Sequence, residues 1–311
     1  MNILPTREFL YSAVITTYQP SQLLPDAINS ILNQAIKPKE IILVDDCSKD
    51  LDLAEIQRLI PDEILFIFHT NSQNLGVGYS RNLGVKLSST NYAIFFDDDD
   101  VSLPMRSVIH GDAFQNGASV SYVSSRKHYS NGYQVEFTNP EIHSGTLDPK
   151  KFAQKLLYGS SYWDSIGEVP SSTLAISKRE FLGVGGFDSS MRRLEDVDLA
   201  IRLSLASVSF SWSSTIAVDR TSTIRQDKGG LVETDHEKIL LDKYGYLIGW
   251  WRKNYAMALI NLRSFYFGGV FSKRTPLELL GLLNPFCFFV LLTRFPRLLT
   301  RLNHDRLQRK K

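Results

Sequence analysis

Cysteine is nearly absent: Cys47 and Cys287 are the only two in a chain of 311 residues. Two thiols so far apart build neither a disulfide framework nor a Cys-rich zinc site, and they fit a reducing compartment. An excess of one charge is also missing. With 35 Lys+Arg against 33 Asp+Glu, the overall field gives no reason to expect nucleic acid as a partner. No unbroken apolar run reaches the roughly 20 residues of a spanning helix. The nearest stretch, 277–292 (LELLGLLNPFCFFVLL), is interrupted by Glu278, Asn284 and Pro285, and no transmembrane helix is expected there. The opening MNILPTREFL lacks a basic segment followed by an apolar core and a cleavage site, so a cytoplasmic location is expected. Two nucleotide signatures are lacking as well. No GxxxxGK[ST] occurs, and Gly76-Val77-Gly78-Tyr79-Ser80-Arg81 begins as GxGxxG but carries Arg where the third Gly belongs. A P-loop is thereby excluded and a dinucleotide fold disfavoured. There is no internal repeat.

The length accommodates one large α/β unit with a helical tail. Four early runs rich in β-branched or aromatic residues read as strands: SAVITT (12–17), EIILV (40–44), EILFIF (63–68) and YAIFF (92–96). Helical patterns separate them at 22–34, with Ser21 as N-cap, at 51–60 and at 76–88. The strands are apolar almost throughout, as expected when helices cover both faces of a parallel sheet. The first ~100 residues therefore predict a doubly wound sheet. A helix near 103–116 and a strand near 118–124 follow, then a polar stretch at 125–147 read as a variable substrate-side region. A strand at 173–177, a helix at 195–206 and a strand near 207–218 come next, and the chain turns helical from about 233.

In an open parallel sheet, ligands bind outside the carboxyl ends of the strands. Polar residues collect at those positions: Thr16, Thr17 and Tyr18 after the first strand, Asp45 and Asp46 after the second, and Asp97 to Asp100 after the fourth. Carboxylates crowded on one rim repel unless a cation joins them. If the extended geometry of the fourth strand continues, Asp97 and Asp99 share a face and offer two oxygen ligands, which suits Mg²⁺ or Mn²⁺ completed by substrate phosphates. Asp100 or Ser102 is assigned as the N-cap of the next helix, with Pro104 in its first turn. Arg81, at a helix start, has two readings from spacing: a nucleotide contact or a solvated helix charge. Glu195, Asp196 and Asp198 also have two, an acid/base group or a first-turn complement to the helix dipole.

Taken in order, AVITTYQPSQLLPDAINSILNQAIKPKEIILVDDCSKD, NLGVGYSRNLGV (74–85), FFDDDD (95–100), GGFD (185–188) and LEDVDLAIRL (194–203) resemble family 2 glycosyltransferases of the GT-A fold. The resemblance covers about residues 11–230. It implies a Rossmann-like, mostly parallel sheet flanked by helices, with a catalytic domain over 1–230 (a nucleotide-binding half to about 100, an acceptor half beyond) and a helical extension over 231–311. It implies that Thr17, with Tyr18 beside it, and the Asp45/Asp46 pair bind the base and ribose of a nucleotide diphosphate sugar. Uridine is the commonest base in similar enzymes. Arg81 is then aimed at the base or diphosphate. Asp97 and Asp99 match the DxD motif, Asp97 towards the ribose with Asp98 in the same nucleotide-binding set, and Asp99 on Mn²⁺ or Mg²⁺. Asp196 matches the catalytic base, with Glu195 beside it. The implied reaction is a single displacement with inversion: Asp196 takes the acceptor proton, and the cation neutralises the departing diphosphate.

The loop after the last strand departs from the family's frequent histidine-containing form. It runs Asp219-Arg220-Thr221-Ser222-Thr223-Ile224-Arg225-Gln226-Asp227-Lys228-Gly229-Gly230. Arg225 and Lys228 are assigned as phosphate contacts and the glycines as a hinge, against the plainer reading of a surface loop. In the tail, 294–311 carry Arg294, Arg297, Arg301, Arg306, Arg309, Lys310 and Lys311 against Asp305 alone. An apolar patch beside such charge suits an anionic bilayer, which makes a glycan or lipid-linked acceptor an expectation; a packed helix with a free tail is the other reading. The rival enzyme class is a metal-dependent nucleotidyltransferase, and the non-enzymatic rival is an inactive glycan-binding domain.

Overall fold

The structure is a computed structural model and describes residues 9–20, 22–142, 148–158, 169–221 and 230–268. Its first half is laid out by four parallel strands: β1 (Tyr11–Thr17), β2 (Glu40–Asp45), β3 (Leu65–Thr70) and β4 (Tyr92–Asp97). Successive side chains on a strand face opposite ways, and the apolar runs divide accordingly. Ala13, Ile15, Ile41, Leu43, Ile94 and Phe96 form one core with α1 (Leu24–Leu32), α2 (Leu53–Leu59) and Phe114 of α4 (Arg106–Gln115). Val14, Ile42, Val44, Ala93 and Phe95 form a second core on the other face. That core includes Val85 of α3 (Val77–Leu87), Phe152 of α5 (Pro149–Tyr158), Phe181 of α6 (Lys178–Gly183), and Leu199, Ala200 and Leu203 of α7 (Glu195–Leu205). Two buried faces explain why these strands do not alternate polar and apolar.

The remaining strands are β5 (Val101–Ser102), β6 (Val120–His128), β7 (Gln134–Phe137), β8 (Leu174–Ser177) and β9 (Phe210–Thr221). The sheet runs β3-β2-β1-β4-β8-β6-β9-β5, with β7 on the edge of β6. The sheet is parallel over β1 to β4, as expected, and β9 also lies parallel to β6. Pairs β4/β8, β6/β8, β6/β7 and β5/β9 are antiparallel, so the sheet is mixed. β6 runs in the same direction as β4, which the crossover through β5 and α4 allows, and β8 inserts between them in the opposite direction. The polar stretch after 125 is also partly strand, because β6 continues to His128 and β7 pairs back on it; residues 143–147 lie outside the described residues.

Two helix starts differ from expectation. The N-cap of α1 is Leu23, which caps with no side-chain bond, and Pro25 fills the first turn; Ser21 lies outside the described residues. The N-cap of α4 is Met105, so neither Asp100 nor Ser102 caps it. Ser102 is in β5, and Asp100 accepts the Thr221 backbone N–H at 3.0 Å.

The chain forms two compact units, 1–225 and 226–311. In the second, α8 (Gly230–Tyr244) and α9 (Trp250–Gly268) pack on each other. Among the described residues no helix is long and apolar enough to cross a membrane. The basic tail and the apolar 277–292 stretch lie outside the described residues.

Candidate active site

Strand register brings the polar strand ends together. Thr17 pairs with Asp45, and Thr16 with Asp97, so the carboxyl ends of β1, β2 and β4 form one rim. The extended geometry assumed for the four aspartates stops early, because β4 ends at Asp97 and the chain turns at Asp98 and Asp99. As a result Asp100 swings in to join Asp97 and Asp99, and the three offer carboxylate oxygens within 4.8 Å of one another. Asp98 goes the other way and accepts the Thr17 hydroxyl at 2.6 Å. Burial pushes the Asp100 carboxyl up to about 7, and the neighbouring charges of Asp97 and Asp99 add to the shift. Carboxylate oxygens this close together are hard donors of the kind Mg²⁺ or Mn²⁺ takes, with water or phosphate oxygens completing the shell, so the residues present fit such an ion.

Asp45 and Asp46 are adjacent but do different things. Asp45 accepts the Ser48 backbone N–H at 3.1 Å and the Ser48 hydroxyl. Asp46 is buried and turned onto its own chain, accepting Asn71 Nδ2, Leu75 N and Gly76 N, each at 2.8 Å. Those three donors belong to the loop that leads into α3, so Asp46 fixes where α3 begins. Gly76 has φ +94°, and a Cβ there would run into the Arg192 guanidinium. Tyr18, next to Thr17, is exposed.

The solvated-charge reading of Arg81 is wrong, since Arg81 is 4% exposed. Its Nη2 donates to Asp97 at 2.7 Å and its Nη1 to Glu195 at 3.0 Å. The guanidinium also lies 5.5 Å from the centroid of the Phe187 ring. Burial alone would lower its pKa, but Asp97 and Glu195 outweigh burial and hold it above the ordinary arginine value. The next residue, Asn82, makes a two-way contact with Phe187, donating to its carbonyl and accepting its N–H, each at 2.8 Å. Gly186, at φ +70°, has no room for a Cβ because the Asn82 side chain is in the way. The motifs 74–85 and 185–188 are thus two halves of one clamp, which seats α7 beside the acidic turn.

At the head of α7, Glu195 lies in the first helical turn, as the dipole reading expects, and has a second partner as well. The N-cap is Leu194, in the left-handed region at φ 60°, and it provides no side-chain cap. Glu195 is buried against Arg81. Burial first, then the charge of Asp196, pushes its carboxyl up to about 7, against the pull of Arg81. Asp196 is half-buried and accepts the Val197 N–H at 2.8 Å. Desolvation raises its pKa, while that N–H, Arg81, Arg193 and Arg220 pull it back. Asp198 is fully buried and pairs with Arg202 at 2.7 Å, a structural role within α7.

Thr17, Asp45, Arg81, the Asp97–Asp100 turn and Glu195/Asp196 therefore collect on one rim. Arg225 and Lys228 lie outside the described residues. Sequence reasoning missed Asn82, the Thr221 backbone and Arg220, which influences both Asp100 and Asp196. Asn82 sits inside a quoted motif, so its position was a signal; backbone donors and through-space charges carry none.

The family model of glycosyl transferase family 2 matches residues 12–170. An uncharacterized glycosyltransferase of Haemophilus influenzae is 25% identical over 62% of this chain and 62% of its own length. A cholesterol galactosyltransferase of Borreliella burgdorferi is 31% identical over 36% of this chain and 32% of its own. The chain thus spans less than two thirds of these curated relatives. Among solved structures, S. aureus TarS 1–349 in complex with UDP superposes with a TM-score of 0.60 at 16% identity, covering 88% of this chain and 79% of that one. Its complex with UDP-GlcNAc gives 0.59 at 17% identity, over 88% and 80%. The mixed α/β sheet flanked by helices is that GT-A fold, and with its profile matched from β1 to the start of the 171–173 turn, the chain belongs to glycosyl transferase family 2.

Proposed function

We propose that the chain transfers a sugar from a nucleoside diphosphate sugar, uridine favoured, to a hydroxyl of a glycan or lipid-linked acceptor, inverting the anomeric centre. The single observation that carries this reading is the Arg81 bridge between Asp97 and Glu195, which joins the acidic turn to the head of α7. Relatives whose structures contain UDP and UDP-GlcNAc support the donor class.

On this reading Thr17, Tyr18 and Asp45 contact base and ribose, and Asp46 sets the loop that carries α3. Asp97 leans to the ribose, with Asp98 steadying Thr17. Asp99, with Asp97 and Asp100, holds Mn²⁺ or Mg²⁺, which supplies neutralising charge at the diphosphate. Arg81 lies beside the same diphosphate, and its buried Nε has no hydrogen-bond partner. Asp196 removes the proton from the acceptor hydroxyl as that oxygen attacks the anomeric carbon from the face opposite the leaving group. Its desolvation makes it a stronger base than a surface aspartate. Glu195 acts through Arg81, holding it towards the acidic turn. Arg225 completes the phosphate contacts. The 1–230 region is the catalytic domain, and the helical extension from 231, with its basic tail, attaches the protein to the cytoplasmic face of a membrane.

Product analysis with Mn²⁺ and a panel of nucleotide sugars tests the proposal. Free nucleoside diphosphate with glycosylated acceptor is expected. Release of pyrophosphate would assign the rival nucleotidyl transfer, and donor binding without turnover on any acceptor would assign an inactive glycan-binding domain.

A further inference from the structure

Arg106, the first residue of α4, is one of the largest side chains sealed in the interior, 1% exposed. None of its hydrogen-bond partners is a carboxylate. Nη2 donates to the Phe95 carbonyl at 2.8 Å, Nη1 to Ser102 Oγ at 2.8 Å and Nε to His110 Nε2 at 3.3 Å. The guanidinium lies 4.5 Å from the centroid of the Phe96 ring. Burial, with the positive charge of Arg106 behind it, holds His110 well below the usual histidine range, so its ring is neutral. Nε2 then accepts from Arg106 while Nδ1 donates to Ser121 Oγ at 2.9 Å. Burial also lowers the Arg106 pKa, to about 9, so the guanidinium remains charged at neutral pH.

A buried cation with no carboxylate in contact is costly, and its position indicates what offsets the cost. Phe95 and Phe96 immediately precede the four aspartates, and Ser102 follows them by two residues. One guanidinium therefore grips both ends of the acidic turn. The far end is held independently as well: Ser30 Oγ accepts the Ser102 N–H at 3.1 Å, and Gln34 Nε2 donates to the Leu103 carbonyl at 3.0 Å. Asp97 and Asp100 both feel the charge of Arg106 without touching it.

We propose that Arg106 is the positioning residue of the cation- and phosphate-binding turn, fastening its two ends and supplying positive charge that lets Asp97 and Asp100 stand together. This inference rests on the reading of that turn as the metal site. It also makes a prediction whose sign separates geometry from electrostatics. Taking a positive charge away from three carboxylates, by Coulomb attraction alone, would tighten binding of a dication. Loss of the clamp does the opposite, because partners that orient metal ligands are worth about 10–100-fold in metal affinity.

The experiment titrates Mn²⁺ into nucleotide-free protein and follows the free ion by electron paramagnetic resonance. Arg106→Met is expected to weaken Mn²⁺ binding by about 10–100-fold, with Arg106→Lys recovering part of the loss. Ser102→Ala keeps the charge and severs one grip, and about fivefold weakening is expected from one lost hydrogen bond. Ser12→Ala, at the other end of β1, is a stability control expected to leave Mn²⁺ affinity unchanged. Equal or tighter binding by folded Arg106→Met overturns the proposal. Should that variant not fold, unchanged affinity in Ser102→Ala overturns it, as does equal weakening in Ser12→Ala. If the wild-type protein binds no Mn²⁺ with or without UDP, the metal reading fails, and this role fails with it; normal wild-type binding with unaffected variants removes only the role of Arg106.

Discussion

Arg81 donates to Glu195 across 3.0 Å, although 114 residues separate them along the chain. The contact ties the helix after β3 to the helix that carries Asp196, and the other arm of the same guanidinium reaches Asp97. Arg81→Met leaves two carboxylates without their cation. Breaking a buried pair costs about 3–5 kcal/mol, and the low end is expected because Asp97 is 30% exposed and screened by solvent. Arg81→Lys keeps the charge but lacks the fork needed to hold both partners. Urea denaturation of the two variants measures this, and an unchanged midpoint for Arg81→Met would contradict the bridge.

Glu195 makes stability depend on pH. Its folded carboxyl titrates near 7, well above the ordinary glutamate value of 4.5, chiefly through burial. The folded state therefore holds the proton more tightly than the unfolded chain. Its stabilising contribution is complete below about 4.5 and is lost as pH rises towards about 7. Glu195→Gln, which cannot titrate, is expected to lessen the slope of the stability profile over that window and to leave the share that Asp100 contributes. A profile of the same slope in both proteins would place the titration on another group.

Asp196→Asn is expected to leave donor affinity within about twofold of wild type and to reduce turnover by about 10²–10⁴-fold, the usual contribution of a general base. Donor binding by calorimetry and initial rates by released nucleoside diphosphate separate the two effects. Turnover that survives in this variant would transfer the role of base to another residue.

Asp45 and Asp46 are expected to part company. Asp46→Ala strands three donors, Asn71 Nδ2 and the Leu75 and Gly76 amides, at about 1–3 kcal/mol for each buried unsatisfied group. Its main effect is on melting temperature. Asp45→Ala strands only contacts from the half-buried Ser48, and its main effect is on the donor KM. Equal losses of stability in the two variants would contradict the division.

Gly186→Ala combines a left-handed backbone with a Cβ pressed onto Asn82. A loss of about 1–3 kcal/mol is expected from overpacking, together with slower turnover as the Asn82–Phe187 clamp opens and α7 shifts. Gly183→Ala, with no left-handed backbone and no atom within 4 Å of the added Cβ, is the unstrained control and should leave turnover unchanged.

The amino-acid sequence by itself determined the early strands and helices, because burial on two faces and helical periodicity are written in the order of apolar residues. It also determined which residues end the strands, since Thr17, Asp45 and Asp97 follow directly from where the apolar runs stop. Only the tertiary structure decided that Asp98 turns to Thr17 while Asp100 joins Asp97 and Asp99, because a turn two residues long replaced the assumed extended geometry. It alone decided that Arg81 is an internal bridge and that Asp46 serves its own loop, because those roles depend on partners 16 to 114 residues away. The antiparallel half of the sheet was equally out of reach, since strand direction is set by the path of the connecting chain and leaves no trace in the composition of the strand.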